Sequence, residues 1–258
     1  MFFHLASLGW IRKAVISDLN SDLVNCYVTI RDHIDELLVS LQELQKKARD
    51  KDFYYHVARR RFNQVHLNTG LEGDVEKASL LLYLNKTCYN GLYRVNRRGE
   101  FNVPWGRYKN PRILDEVNLR AVHAVMKRKE IRISCSDYSE AVGEAKAGDF
   151  IYLDPPYQPI SATASFTGYT ADSFTFKEQE RLAHVIRQLD SRGCMFMLSN
   201  SPKVRDLYEG HGFCIKTVNA PRSISCVGNR RSPVEELLIM NYANYRALRV
   251  PDLDLTEK

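Results

Sequence analysis

The segment IYLDPPYQP, Ile151 to Pro159, is an apolar run that ends in an aspartate, two prolines and a tyrosine. A proline cannot donate to a strand ladder, so a strand here must stop at Asp154. An acid and an aromatic ring are thereby fixed side by side at the carboxyl end of a strand, where open α/β sheets place their ligands. The Asp154 carboxylate and the backbone carbonyl beside it are acceptors. Pro155 brings no N–H, so the corner presents acceptors without a neighbouring donor. Such a corner suits an exocyclic amino group. The amino nitrogen of adenine is a weak nucleophile because its lone pair is delocalised into the ring. Two acceptors on its protons favour a pyramidal nitrogen. They also stabilise the positive charge that develops as it attacks a methyl sulfonium. The Tyr157 ring can stack on the base for about 1–3 kcal/mol, offsetting part of the cost of taking a base out of a duplex. The alternative is a tight turn with a core tyrosine; the strand-ending D-P-P-Y makes that the minor reading.

Two further acids end strand-like runs. KAVISDLN, Lys13 to Asn20, stops near Asp18, and IRISCSD, Ile131 to Asp137, stops at Asp137. An acid after the second strand of a nucleotide-binding unit can accept from both ribose hydroxyls, and one after the next strand from an adenine amino group. Aspartate also ends strands simply as a helix cap, and neither acid alone decides between the two.

The elements that must position these acids alternate. After the first strand, Asn20 or Ser21 can cap a helix along which Leu23, Tyr27, Ile30, Ile34, Leu37, Leu41 and Leu44 recur at helical spacing. Residues 50–85 read as helical, with Asp74 capping the apolar segment from Val75. KTCYNGLYRVNRRGEFNVPWGRYKNP then breaks all periodicity, and its glycines and prolines mark turns. Between Arg94 and Arg112 stand six basic residues (Arg94, Arg97, Arg98, Arg107, Lys109 and Arg112) and one acid, Glu100. Phe101, Trp105 and Tyr108 are interleaved with them. That mixture suits a loop that tracks a phosphate backbone and touches bases, and equally a solvated charged loop. From about Asp115 onward helices and strands alternate: helix 115–129, strand 131–137, strand 150–154, helix 177–191, the strand CMFMLSN, a helix from Pro202, and the strands FCIKTVNA and ELLIMNY. This pattern predicts an α/β fold: a doubly wound, mostly parallel sheet, ending in an antiparallel pair and carrying a helical insert as a smaller lobe. The catalytic domain is expected over 1–40 and 112–258, and the insert over 41–111.

Composition excludes other classes. At 258 residues, 44% hydrophobic and 26% charged, the chain is an ordinary globular protein. Met1 to Trp10 is apolar but has neither the basic start nor the cleavage site of a secretory signal, and no apolar run approaches a membrane span. A cytoplasmic monomer is expected. The six cysteines form no C-x-x-C pair and the seven histidines no H-x-x-x-H, so reduced thiols and no metal are expected.

These residues together resemble the Dam-type DNA adenine-N6 methyltransferases, over nearly the whole chain. The resemblance is carried by DLNSDL at 18–23, LNKTCYNGLYRVNRRGEFNVPWGRYKNP at 84–111, LDPPY at 153–157, SATASFTGY at 161–169, LSN at 198–200, and RSIS with EELL at 222–238. It implies S-adenosylmethionine as cofactor, double-stranded DNA as partner and a GATC-type target. It further implies that Asp154, Pro155, Pro156 and Tyr157 hold and stack a flipped adenine. Asp18, Asp137, Tyr138 and Asp154 would face the cofactor. Tyr89, Asn90, Arg94, Asn96, Asn102, Pro104, Arg107, Tyr108 and Lys109 would form the DNA-recognition loop, with Ser161, Thr163, Arg222 and Ser223 near the DNA. An arginine of that loop could be bidentate to guanine. One departure stands out. The family's F-x-G-x-G turn, beside which the methionine part of the cofactor lies, has no counterpart here and is expected just upstream of Met1. The only G-x-G, Gly210-His211-Gly212, precedes a strand and is expected to be a turn. The sheet is therefore expected to lack its first strand, which would leave two unpaired edges beside the strands ending at Asp18 and Asp154. Two rival readings remain: an amino-methyltransferase acting on RNA, and a truncated DNA-binding relic that does not hold the cofactor.

Overall fold

Short polar side chains at Asn20, Asp74 and Asp115 set where three of the described helices start, and apolar stripes set which faces they bury. The computed structural model describes residues 1–67, 73–157, 174–220 and 234–242. The described chain forms two compact units, one of Met1–Ala141 and one from Val142 onward.

In the first unit, α1 (Phe2–Ser7) precedes β1 (Ala14–Asp18). The Asn20 side chain then accepts from the amides of Asp22 and Leu23 and starts α2 (Ser21–Asp32). The stripe from Leu23 to Leu44 predicts one helix, but the structure breaks it at His33 (φ −131°, ψ 41°), where α3 (Ile34–Lys46) begins. The break costs little in backbone hydrogen bonds, because the His33 amide still donates to Thr29 and its carbonyl still accepts from Leu37. It lets Ile30 of α2 and Leu37 and Leu41 of α3 enter one core with Tyr54, Phe62, Tyr83, Leu84 and Phe101. A π-helical turn, Phe53–Ala58, runs into α4 (Arg59–Gln64), and α5 (Val75–Thr87) starts where the Asp74 carboxylate accepts from the Lys77 amide at 2.7 Å. Asn25 of α2 clasps the α5 start, accepting from the Asp74 amide at 2.7 Å and donating to its carbonyl at 3.1 Å. Finally α6 (Glu116–Met126), capped by Asp115, leads to β2 (Ile131–Cys135) and the short α7 (Tyr138–Ala141). Strands β1 and β2 are parallel, in register from Ala14 opposite Ile131 to Asp18 opposite Cys135. Val24, Val28, Met126, Ile131 and Ile133 form the core behind them.

The second unit holds β3 (Phe150–Leu153), α8 (Phe176–Ser191), β4 (Met195–Asn200), β5 (Cys214–Ala220) and β6 (Val234–Met240), with a 3-10 helix at Pro202–Leu207. The strand order is β3-β4-β6-β5; β3 and β4 are parallel, and β6 runs antiparallel to both β4 and β5. The expected antiparallel end pair is present, but the described ladders are mixed rather than mostly parallel. Alternation along the strands gives the sheet two faces. Phe196, Leu198, Leu237 and Ile239 are all buried on one face, on the side of α8, whose own buried residues include Leu182, Ala183, Ile186 and Leu189. The register places Tyr152, Met197, Ser199, Glu236 and Leu238 on the other face. Gly210 and Gly212, with φ of +79° and +77°, form the expected turn before β5.

Candidate active site

The D-P-P-Y corner follows β3. Continuing the β3–β4 register one residue past Leu153–Leu198 brings Asp154 level with Ser199, on the same sheet face as Glu236. The Tyr157 hydroxyl lies 2.5 Å from Ser199 Oγ and donates to Glu236 Oε2 at 3.2 Å. Burial, and then the negative charge of Glu236, raise the pKa of Asp154 above its ordinary value, while the nearby Tyr157 hydroxyl opposes them. Asp154 also keeps surface exposed to solvent. The corner is braced from α8. Gln179 Nε2 donates to the Pro156 carbonyl at 3.2 Å, and Gln179 Oε1 accepts from Asn200 Nδ2 at 2.9 Å. Ser199, Asn200, Gln179 and Glu236 carry no role in the sequence reading, although LSN and EELL stand out as segments. Period-2 alternation would have grouped Ser199 with Glu236 had the β4–β6 pairing been known.

Asp18 and Asp137 leave the same end of the β1–β2 pair. Asp18 Oδ1 accepts from the Asn20 amide at 2.7 Å. Asp137 Oδ1 accepts from the Ser139 amide at 2.9 Å and from its hydroxyl at 2.5 Å. Ser17 Oγ donates to the Ser136 carbonyl at 2.9 Å and ties the two strand ends together. Each carboxylate therefore braces its own turn and is held as an acceptor at a strand end. That donor–acceptor chemistry fits the hydroxyl and amino groups of a nucleoside such as the adenosyl part of S-adenosylmethionine. Tyr138 opens α7 beside Asp137.

The basic segment is an ordered hairpin seated on the helices. Isolated bridges join Cys88 to Trp105 and Val95 to Phe101. Asn63 holds both backbone groups of Phe101, and the Tyr54 hydroxyl donates to the Val103 carbonyl at 2.8 Å. Asn96 makes the turn at the tip, accepting from the amides of Arg98 and Glu100. Arg94 is engaged inside the hairpin, where Nε donates to Asn102 Oδ1 at 2.7 Å and an Nη to the Asn102 carbonyl at 3.2 Å. Tyr89, Pro104, Arg107, Tyr108 and Lys109 are exposed. Asn90 (φ +54°) and Arg107 (φ +59°) occupy the left-handed region, an unusual conformation for an arginine. An open groove of about 450 Å³ brings together Asn90, Tyr108, Lys109 and Lys86. Ser161, Thr163, Arg222 and Ser223 lie outside the described residues.

Of the described thiols, Cys26, Cys88 and Cys194 are buried and Cys135 is exposed. Among the described residues no group of three His, Cys, Asp or Glu side chains could hold a metal, and no helix is long and apolar enough to cross a membrane.

A mixed α/β fold, an acceptor corner after a strand and acids at two other strand ends suit a nucleotide-using group-transfer protein. Residues 1–224 match the model of the D12 class N6 adenine-specific DNA methyltransferases, and the chain belongs to that family. It is 44% identical over 252 residues to the type II methyltransferase M.MjaIII of Methanocaldococcus jannaschii, covering 94% of this chain and 84% of that protein. It is 38% identical to the type II methyltransferase M1.LlaDCHI of Lactococcus lactis subsp. cremoris, covering 95% of this chain and 83% of that protein. It is 36% identical to the DNA adenine methylase of Escherichia coli K12, covering 88% of this chain and 79% of that protein. The protein is thus an adenine-specific DNA methyltransferase, and enzymes of this family take the methyl group from S-adenosylmethionine.

Proposed function

We propose that the protein methylates adenine N6 within GATC in duplex DNA, on a base flipped out of the helix into the D-P-P-Y corner. The observation that carries this reading is the corner itself: an aspartate, two prolines and a tyrosine ending β3, braced at the Pro156 carbonyl by Gln179 and at the Tyr157 hydroxyl by Ser199 and Glu236. Asp154 and the Pro155 carbonyl accept the two amino hydrogens of the adenine. That raises the availability of the nitrogen lone pair and stabilises the positive charge that forms on it. Asp154 is also placed to receive the proton that the methylated nitrogen loses. Burial and Glu236 favour its protonated form, which suits that task. Tyr157 stacks on the extruded base. S-adenosylmethionine, when bound, supplies the methyl group as an electrophile on a sulfonium. Asp18 and Asp137 hold its ribose hydroxyls and adenine amino group from the ends of β1 and β2, with Tyr138 beside them. The hairpin from Tyr89 to Lys109 grips the duplex, with Arg107 and Lys109 on phosphates and Asn90 and Tyr108 at the bases; Arg94, Asn96, Asn102 and Pro104 shape it. The GATC target follows from the likeness of residues 84–111 to the recognition loop of Dam-type enzymes.

The test is transfer of labelled methyl from S-adenosylmethionine to matched duplexes with and without GATC, with RNA as competitor. Incorporation confined to GATC duplexes and undiminished by RNA is expected. Incorporation into duplexes lacking GATC overturns the target, and preference for RNA overturns the substrate. Asp154→Ala should abolish transfer while retaining duplex affinity.

A further inference from the structure

We propose that Glu236 is a positioning residue for methyl transfer: with Ser199 it clamps the Tyr157 hydroxyl and thereby fixes the ring on which the target adenine lies. The proposal rests on the reading of Tyr157 as the adenine platform.

Three observations carry it. Ser199 and Glu236 stand on adjacent antiparallel strands, β4 and β6, and the register puts both on the sheet face shared with Asp154. Both reach the same phenol oxygen, at 2.5 Å and 3.2 Å. The proton count then closes in one way. A phenol has one proton, and an ionised carboxylate can only accept. Tyr157 therefore donates to Glu236, and the Ser199 hydroxyl donates to Tyr157. A serine–tyrosine pair alone could point either way; the carboxylate removes that freedom.

The third observation is that the arrangement carries an electrostatic cost. A carboxylate at 236 opposes ionisation of Asp154, the acid the reaction depends on. A glutamine would make a hydrogen bond to Tyr157 without that repulsion, but its amide can also donate, so it would not fix the direction. With the phenol tied at its oxygen and Gln179 holding the Pro156 carbonyl, the loop from Asp154 to Tyr157 is fixed at both a backbone and a side-chain point.

The experiment is a double-mutant cycle on the full chain. Glu236→Ala is expected to slow single-turnover methylation about tenfold, the worth of one charge-assisted hydrogen bond, with duplex and cofactor affinities within about twofold of wild type. Glu236→Gln should recover only part of the rate. In a Tyr157→Phe background the tenfold loss on Glu236→Ala should not recur, because the clamp is already gone and only the repulsion on Asp154 is relieved. A full loss repeated in that background overturns the proposal, as does a Glu236→Ala rate equal to wild type. Ser199→Ala provides a second cycle with the same expectation, should Glu236→Ala fold poorly. The clamp is also read without turnover: melting of the same variants should show coupling between positions 157 and 236, and strict additivity overturns it. A wild-type chain that methylates no duplex refutes the proposed function, while the melting cycle still judges the clamp.

Discussion

Gln179 is the side chain on which the geometry of the acceptor corner most directly depends, and replacing it separates packing from polarity. Gln179 and Asn200 have no exposed surface. The Gln179 amide is used in both directions, donating to the Pro156 carbonyl at 3.2 Å and accepting from Asn200 Nδ2 at 2.9 Å. Asn200 Oδ1 is already engaged by the Ser201 amide. Gln179→Leu keeps most of the volume and removes both polar atoms. Asn200 Nδ2 is then stranded in a dry site, at about 1–3 kcal/mol. Pro156 is exposed, so water replaces the lost donor at its carbonyl for little. Stability should thus fall by about 1–3 kcal/mol. Single-turnover methylation should fall by about tenfold to a hundredfold as the corner loosens. Gln179→Glu is the sharper variant. One oxygen can still accept from Asn200, but the other faces the Pro156 carbonyl, acceptor to acceptor, unless it is protonated. Its folded-state pKa must lie above the unfolded value of about 4.3. The variant then retains its stability below about pH 4 and loses it as pH rises through the folded pKa, by about 1.4 kcal/mol for each unit of elevation. Denaturant unfolding between about pH 4 and pH 8 measures this. A Gln179→Glu stability curve parallel to wild type across that range refutes the reasoning, as does Gln179→Leu with unchanged stability and rate.

Asp154→Asn should separate stability from activity. The folded pKa of Asp154 is raised by burial and Glu236, so wild type has its full stability below the unfolded aspartate pKa of about 3.9 and loses some as pH rises through the folded value. The asparagine variant lacks that loss. Its melting temperature relative to wild type should therefore climb from acid to neutral pH, while methylation is abolished. Gly106→Ala should destabilise by about 1–3 kcal/mol, because a Cβ there would stand 2.5 Å from the Cys88 carbonyl oxygen and 2.8 Å from its carbon. Thermal melting and duplex affinity should fall together, since Arg107 and Tyr108 follow directly. Arg107→Ala should weaken binding to GATC and non-GATC duplexes alike and reduce the salt dependence by about one phosphate contact. Loss confined to GATC would make Arg107 a base reader instead.

The strand ends and helix caps were legible because their signals are local. Asn20 and Asp74 cap where short acceptors precede apolar runs, and the prolines end β3 after Leu153. The break at His33 was hidden because the leucine stripe continues across it; only the packing of α2 and α3 into one core selects two helices over one. The basic segment at 84–111 reads by composition as an irregular loop, yet it pairs with itself through Cys88–Trp105 and Val95–Phe101. Its turns rest on residues in unusual conformations, Asn90 and Arg107, which no periodicity announces. At the candidate site the acid and the ring were legible and their supports were not. The supports come from α8, β4 and β6, and they meet only through tertiary pairing.

That pairing is where fold and chemistry join. The sequence predicts that the last two strands run antiparallel, which leaves open what lies on the other side of β6. In the structure β6 enters between β4 and β5, with Ser199 opposite Leu238 and Asn200 opposite Leu237. This insertion brings a glutamate from far along the chain to a tyrosine that follows β3. A slip of one residue in the β4–β6 register would turn Glu236 towards the face that buries Leu237 and Ile239. It would bury a charge among apolar residues and leave the Tyr157 hydroxyl with Ser199 alone. The apolar residues that hold β6 in register, Leu237 and Ile239, thereby also hold the D-P-P-Y corner in place from the opposite face of the sheet.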